Sequence, residues 1–425
     1  MEKKRKEVKN VAEELRARGL LQDEAGGKAE VFLATKRKVY LGIDPTAESL
    51  HAGNLVPIML MKHLANAGHE LTFIIGGGTG MIGDPRESGE RVLLDTKTVA
   101  KNKKALMVQL TQILGGKKYR MVDNYAWLSK ITILEFLRDI GKHFTVNQLL
   151  KREIIKKRIQ VDEDPISYTE FSYSLLQGYD FLHLHQKYGV DMQIGGSDQW
   201  ANILSGVELI RRKEGKSAYA LTAPIINDKK TGKKFGKSEG NAVWLDPKKT
   251  SSYTFYQFWL NVSDEGVEDY LKIFTFLSLP DIAKVITIHT ENPSARHAQK
   301  TLAREVTAMI HGTASAESAE CVSGVLFGEG SFSALSKQDS VYMRKEVPMT
   351  QVTEGVSLTD VIVSLDLASS KGEARRLIEQ KAISLGGIVI TDVHQVLTKK
   401  DFSSDIIQIR RGKKQGLLML AQKKR

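Results

Sequence analysis

Residues 39–43, Val-Tyr-Leu-Gly-Ile, are apolar with little alternation, the pattern of a strand buried on both faces. From 55 to 66 the apolar spacing becomes helical, and 71–75 is again a short apolar run, opening into Gly76-Gly77-Gly78-Thr79-Gly80. Strand, helix and strand within about forty residues make a right-handed crossover, which predicts a parallel sheet with helices on its faces. Further helices are predicted over 8–20, ending at Gly19, and over 101–113, 131–141, 144–159 and 171–188; strands are predicted over 119–122 and 190–194. The last strand opens into Gly195-Gly196-Ser197-Asp198-Gln199-Trp200. Alternation then stops, and 251–327 has helical spacing with short turns. Residues 328–350, with Gly, Ser and mixed charge, are the linker candidate. Beyond it, Ser370-Lys371-Gly372-Glu373 has capping-box spacing, and two apolar runs flank Gly386-Gly387, the pattern of a tight hairpin. The expected architecture is α/β: a Rossmann-like parallel-sheet domain over 1–247, an all-helical domain over 248–327, the linker, and a small α+β domain over 351–425.

Composition narrows the class. The chain of 425 residues is 41% hydrophobic and 26% charged, with no apolar run of bilayer length, so no membrane role is expected. The first six residues, Met-Glu-Lys-Lys-Arg-Lys, lead into mixed charge and not an apolar core, unlike a secretory signal, and a cytoplasmic protein is expected. A single cysteine, Cys321, excludes an intramolecular disulfide and a multi-cysteine zinc site. His183 and His185 are two apart and point to different sides of a helix, so no structural metal is expected. A formal charge of +12 suits a polyanionic partner or simple solubility, and does not by itself choose.

Candidate chemistry gathers past the strand ends. Asp44-Pro45-Thr46 through His51-Ala52-Gly53-Asn54 closes one strand and opens a helix, where unpaired N–H groups and the positive dipole end favour phosphate. Lys234-Phe235-Gly236-Lys237-Ser238 sets two ammonium groups in a polar, glycine-containing loop. Alone, each motif is an ordinary connection or a solvated basic loop; flanking one sheet domain, they suggest ATP held between a helix end and a loop. Tyr173, Gln177 and Asp180 share one face of the 171–188 helix, either as a solvent stripe or as a polar site. Tyr40, beside a ligand-bearing strand end, favours the site, and a direct pairing of its phenol with Asp180 is expected to read a buried hydroxyl.

The two short segments match the signatures of the class I aminoacyl-tRNA synthetases, with Asn54 where that family has a second histidine. The wider constellation, 40–46, Gly83-Asp84-Pro85, 173–180, 195–200 and the lysine loop, resembles the tyrosyl-tRNA synthetases over nearly the whole chain. The resemblance implies tyrosine activation by ATP with Mg2+ and transfer to tRNA(Tyr). It implies that Tyr40 and Asp180 bind the phenol, that Asp84, Tyr173 and Gln177 hold the ammonium, and that Asp44 and Gln193 lie beside the carboxylate. The ATP set is then Gly42, Asp44, His51, Gly53, Asn54, Gly196, Asp198, Gln199, Lys234 and Lys237. The catalytic set is Thr46, His51, Asn54, Lys234, Lys237, Ser238 and Arg91, with Arg86 in the same loop. The C-terminal unit resembles an S4-type RNA-binding domain, with Arg375, Arg376, Lys399, Lys400, Arg410, Arg411, Lys413 and Lys414 as its basic positions. A homodimer joined through 131–159 is also implied. The rival readings are a tryptophanyl-tRNA synthetase and an inactive synthetase-like RNA-binding protein.

Overall fold

Six strands form one sheet: β1 (Asp23–Ala25), β2 (Lys38–Ile43), β3 (Glu70–Ile75), β4 (Tyr119–Asp123), β5 (Met192–Gly196) and β6 (Tyr219–Ala223), in the order β1-β6-β5-β2-β3-β4. The last five are parallel, and β1 adds an antiparallel edge. The computed structural model describes residues 10–85, 94–150, 152–160, 165–229, 231–232, 234–238, 241–327, 335–346, 349–402, 406–412 and 414–420, of which 153, 154, 237, 238, 241, 414 and 415 are described in backbone only. The strand order reverses direction between β2 and β5, because the chain builds outward through β3 and β4 before returning to the other side of β2. Such a switch point leaves a crevice at the carboxyl ends of its two strands.

Two helices matter most for the crevice. The first, α1 (Leu55–Ala67), follows β2 and buries Leu55, Val56, Ile58, Met59, Leu60, Met61 and Leu64. Pro57 lies in its first turn, where backbone N–H groups have no helical partner. The second, α2 (Tyr168–Tyr188), starts at a capping box in which Ser167 accepts from Glu170 N and Glu170 reaches back. Glu170 also meets Arg158 at 2.6 Å, both side chains buried. Opposite it packs α3 (Trp200–Glu214), at close range: a Cβ on Gly178 would come within 3.4 Å of the Ser205 backbone, and one on Gly206 within 2.8 Å of Phe181. That contact fixes the turn of α2 that carries Gln177 and Asp180.

The predicted helix 144–159 is in fact two, Val146–Leu150 and Glu153–Ile159. Between Lys234 and the helical region two short strands, β7 (Lys237–Ser238) and β8 (Asn241–Ala242), pair antiparallel.

The chain divides into two compact units: Met1–Thr250 with Leu260–Leu302, and Ser251–Trp259 with Ala303–Arg425. The second holds helices Thr313–Leu326 and Lys337–Glu346 and a five-stranded sheet of β9 (Met349–Val352), β10 (Ile383–Leu385), β11 (Ile388–Val389), β12 (Ile406–Arg411) and β13 (Lys414–Leu420), ordered β11-β10-β12-β13-β9. The stretch expected as a linker thus contains a helix, anchored by the buried Met343 and by Ser318 donating to Asp339 at 2.6 Å. Gly386 and Gly387, at φ of 57° and 85°, turn β10 into β11, as a two-residue hairpin requires. Leu358, Ile362, Ala374, Ile378, Ile383, Ile409 and Leu418 form this unit's core.

Candidate functional site

The switch point opens into a cavity of about 850 Å³. Its walls include Tyr40, Gly42, Asp44, Thr46, His51, Gly53, Asn54, Asp84, Tyr173, Gln177, Asp180, Gln193, Gly196, Asp198, Gln199 and Lys234. The sequence-predicted residues therefore meet in one place, with four exceptions. Arg91, like Arg86, lies outside the described residues, and Lys237 and Ser238 are described in backbone only.

The floor is the polar face of α2. Asp180 is 3% exposed and accepts from Trp127 Nε1 at 2.7 Å and Asn124 Nδ2 at 2.8 Å. Burial pushes its carboxyl up to about 7, against the pull of those two donors. Tyr40 is 1% exposed, and its hydroxyl has no hydrogen-bond partner among the described residues. The expected direct bond between Tyr40 and Asp180 is absent: the Tyr40 hydroxyl has no partner among the described residues, and Asn124 and Trp127 each donate to one oxygen of Asp180, leaving each oxygen a further acceptor site. A buried phenol without a partner is costly, and here it stands ready for a polar ligand atom. Beside it in register on β5 is Gln193, also buried, whose Oε1 has no partner among the described residues.

Above this floor, a chain of hydrogen bonds crosses the sheet ends. Tyr173 donates to Asp44 Oδ2 at 2.8 Å, Thr79 donates to Asp44 Oδ1 at 2.7 Å, and Asn124 Nδ2 donates to Thr79 at 2.9 Å. Asp84 accepts from Gln199 Nε2 at 2.7 Å and Asn202 Nδ2 at 2.9 Å, and Arg152 donates to Asn202 Oδ1 at 3.1 Å. Sequence reasoning missed Asn124, Trp127, Thr79 and Asn202. Position was the available signal: Asn124 directly follows β4, Thr79 lies just past β3, and Asn202 is one helical turn beyond Gln199.

At the open end, the two signature segments meet backbone to backbone. His51 Nδ1 accepts from Gly53 N at 3.1 Å, which places the ring proton on Nε2, and Asn54 Oδ1 accepts from His51 N at 3.0 Å. Asn54 thus closes the turn from which His51 projects. Ala52 N donates to Val243 O and Val243 N to Gly236 O, each at 2.8 Å. Gly236 sits at φ 86°, and a Cβ there would fall 2.6 Å from Gly53 N. Phe235 anchors the loop against Tyr270 and Phe274, with ring centroids 4.6 and 5.5 Å away. Lys234 is exposed at the cavity wall.

In the second unit Arg375, Arg376, Lys399 and Lys400 are exposed. Arg411 is otherwise engaged, donating to Leu367 O at 2.7 Å and Glu373 at 3.0 Å, so it is removed from the set of basic positions open to a partner. Arg410 lies 5.6 Å from the Phe327 ring, Lys413 is outside the described residues, and Lys414 is described in backbone only.

A family model for class I tRNA synthetases (W and Y) matches residues 34–328, and one for the C-terminal domain of tyrosine-tRNA ligases matches 340–419. The chain is 43% identical to the tyrosine-tRNA ligase of Bacteroides fragilis, covering 97% of this chain and 100% of that one. It is 45% identical to that of Lactococcus lactis, covering 96% and 99%. Among solved structures, a C-terminally truncated mitochondrial tyrosyl-tRNA synthetase of Aspergillus nidulans matches with a TM-score of 0.65 at 31% identity, over 75% of this chain and 93% of that one. With a switch-point cavity, both signature segments and full-length similarity in agreement, the chain belongs to the class I tRNA synthetases and, within them, to the tyrosine-tRNA ligases.

Proposed function

We propose that the chain activates L-tyrosine with ATP and transfers it to the 3′ end of tRNA(Tyr). The observation that carries the substrate is the buried floor, where the unpaired Tyr40 hydroxyl and the Asp180 carboxylate line one end of the cavity. A phenol entering there donates to Asp180 and accepts from Tyr40, which removes the cost of the unpaired group. Asp84, Tyr173 and Gln177 take the ammonium, and Asp44 and Gln193 lie by the carboxylate. A carboxylate oxygen of tyrosine attacks the α-phosphorus of ATP, the bond to the β-phosphate breaks, and pyrophosphate leaves. The tRNA 3′-terminal ribose hydroxyl then attacks the adenylate carbonyl and AMP departs. Thr46, His51, Asn54 and Lys234 line the part of the cavity read as the phosphate site, with Lys237, Ser238 and Arg91 as further candidates for the same role, and Gly42, Gly53, Gly196, Asp198 and Gln199 serve the nucleotide. Such displacement relies on position and on donors facing the developing charge.

Mg2+ arrives on the ATP phosphates as part of the co-substrate. Among the described residues no group of three His, Cys, Asp or Glu side chains is placed to hold a metal. No helix among the described residues is long and apolar enough to cross a membrane. A cytoplasmic location is proposed from the substrates of the reaction, ATP and tRNA. ATP-pyrophosphate exchange tests the assignment: it should require tyrosine, and exchange driven instead by tryptophan would sink it. The C-terminal match and near full-length identity to tyrosine ligases favour tyrosine over the tryptophan enzyme.

Two partner readings follow. Exposed Arg375, Arg376, Lys399 and Lys400 on a compact fold support tRNA binding by the C-terminal unit. A chain ending at residue 348 should keep tyrosine-dependent exchange within about threefold and lose tRNA charging by at least about tenfold, since it removes phosphate contacts and not the cavity. Equal loss of both in that truncated chain would mean that the unit acts structurally. Ile133, Leu134 and Val146, exposed by 67%, 76% and 59%, support a homodimer through this face. Leu134→Glu should shift the mass seen by light scattering from dimer to monomer; a wild type that is already monomeric would refute the assignment.

A further inference from the structure

His183 plays no part in the chemistry proposed for the cavity, yet it lies against the group that holds the phenol-binding carboxylate. It is three residues beyond Asp180 on α2, so both project from one face. Its ring stacks on the Trp127 indole, with centroids 4.4 Å apart and planes 14° from parallel, and Tyr179 closes on it edge-on at 6.2 Å. The same indole is 6% exposed and donates Nε1–H to Asp180 Oδ1 at 2.7 Å. His183 Nε2 is itself buried with no hydrogen-bond partner among the described residues, and burial lowers the ring's basicity. A half-buried imidazole whose buried Nε2 bonds to nothing among the described residues is not held in place by that nitrogen. What it offers is a flat face.

We infer that His183 is a positioning residue for amino-acid selection: its stacked ring fixes the rotation of the Trp127 indole, and so the angle at which Nε1–H holds Asp180 toward the substrate phenol. The inference rests on the tyrosine reading of the cavity. Hydrogen bonds weaken steeply as they bend, and one made to a buried carboxylate loses most from a rotated donor. Trp127 occupies a single-turn helix, Tyr125–Leu128, within a buried cluster, where a flat neighbour is a constraint on rotation of its indole. The face of the neighbouring ring supplies that constraint.

Steady-state exchange kinetics on the full-length enzyme test this with two substitutions of similar bulk. His183→Leu fills the space without a flat face, and His183→Phe keeps the face without the nitrogen. His183→Leu should raise the KM for tyrosine roughly tenfold, the scale of one charge-assisted hydrogen bond degraded, with kcat and the KM for ATP within about twofold. His183→Phe should return the tyrosine KM to within about twofold of wild type, as a retained stacking surface predicts. In a Trp127→Phe background, which has no indole N–H to orient, His183→Leu should add nothing further. An unchanged tyrosine KM in His183→Leu, a His183→Phe as defective as His183→Leu, or full additivity with Trp127→Phe would each overturn the inference and leave the tyrosine assignment standing. A wild-type enzyme without tyrosine-dependent exchange would overturn both.

Discussion

Asp180→Ala should lower kcat/KM for tyrosine by roughly a thousandfold, the largest loss expected from any single substitution in the cavity. Three groups depend on this carboxylate. The substrate phenol loses its acceptor, and Asn124 and Trp127 lose theirs, at 2.8 and 2.7 Å. Asn124 and Trp127 are left unpaired in the free and the bound enzyme alike, which costs stability at about 1–3 kcal/mol each, whereas the buried phenol is stranded only in the complex, so the loss of its charged acceptor falls on kcat/KM. Phenylalanine, which offers no hydroxyl, should suffer far less from the substitution, so the preference for tyrosine should collapse along with the rate. Tyrosine-dependent pyrophosphate exchange at wild-type rate in Asp180→Ala would remove the basis for the phenol assignment.

The same carboxylate should be visible in stability. Its pKa is raised in the folded chain from the ordinary 3.8 to about 7 by burial. Below pH 3.8 it is neutral folded or unfolded and contributes no difference. As pH rises from there to about 7, the unfolded chain ionises first, so the folded state becomes less favoured, and above 7 the penalty is complete. A shift of that size corresponds to roughly 4 kcal/mol as an upper bound. Denaturant unfolding of wild type and Asp180→Asn across about pH 4–8 should therefore differ in slope, wild type losing stability relative to the variant as pH rises. Parallel curves would mean that the carboxylate is well solvated. A site that pays in stability for a buried acceptor is what selection for a hydroxyl requires.

How far the site was legible depended on how local its determinants are. Parallel strands and their helices followed from apolar runs, because a strand covered on both faces reads the same way in any such sheet. The face shared by Tyr173, Gln177 and Asp180 is a matter of helical periodicity, and α2 delivers it as expected. The pairing of Tyr40 with Asp180 was not legible. Asp180 is instead oriented by Asn124 and Trp127, which come from beyond the end of β4 and each donate to one of its oxygens, and nothing along α2 signals them. The division of 144–159 into two helices escaped for a related reason. Its apolar positions make one periodic run, and a break at Arg152 leaves little trace in such a pattern. Arg411 shows the same limit in reverse: a basic residue in a basic stretch turned out to bind Glu373 and a backbone carbonyl inside its own fold.

Gly236→Ala should slow adenylate formation by about a hundredfold while leaving tyrosine binding within about twofold, because it disturbs the two signature segments where they touch and nothing else. Residue 236 is at φ 86°, which an L side chain tolerates poorly, and the added methyl would lie 2.6 Å from Gly53 N. Neither side gives way easily. Gly53 belongs to the turn fixed by His51 and Asn54, and Phe235 is held by Tyr270 and Phe274. The lysine loop must therefore lift from the His51 turn, carrying Lys237 and Ser238 with it, and a displacement of about 1 Å at groups that meet developing charge is costly in rate. The tyrosine floor, built from α2, β2 and the end of β4, shares no residue with this contact, so equilibrium binding of tyrosine should be preserved. Rapid-quench measurement of adenylate formation beside equilibrium dialysis of tyrosine separates the two effects. If Gly236→Ala formed adenylate at the wild-type rate, the backbone contact between the two segments would not be what aligns them on ATP.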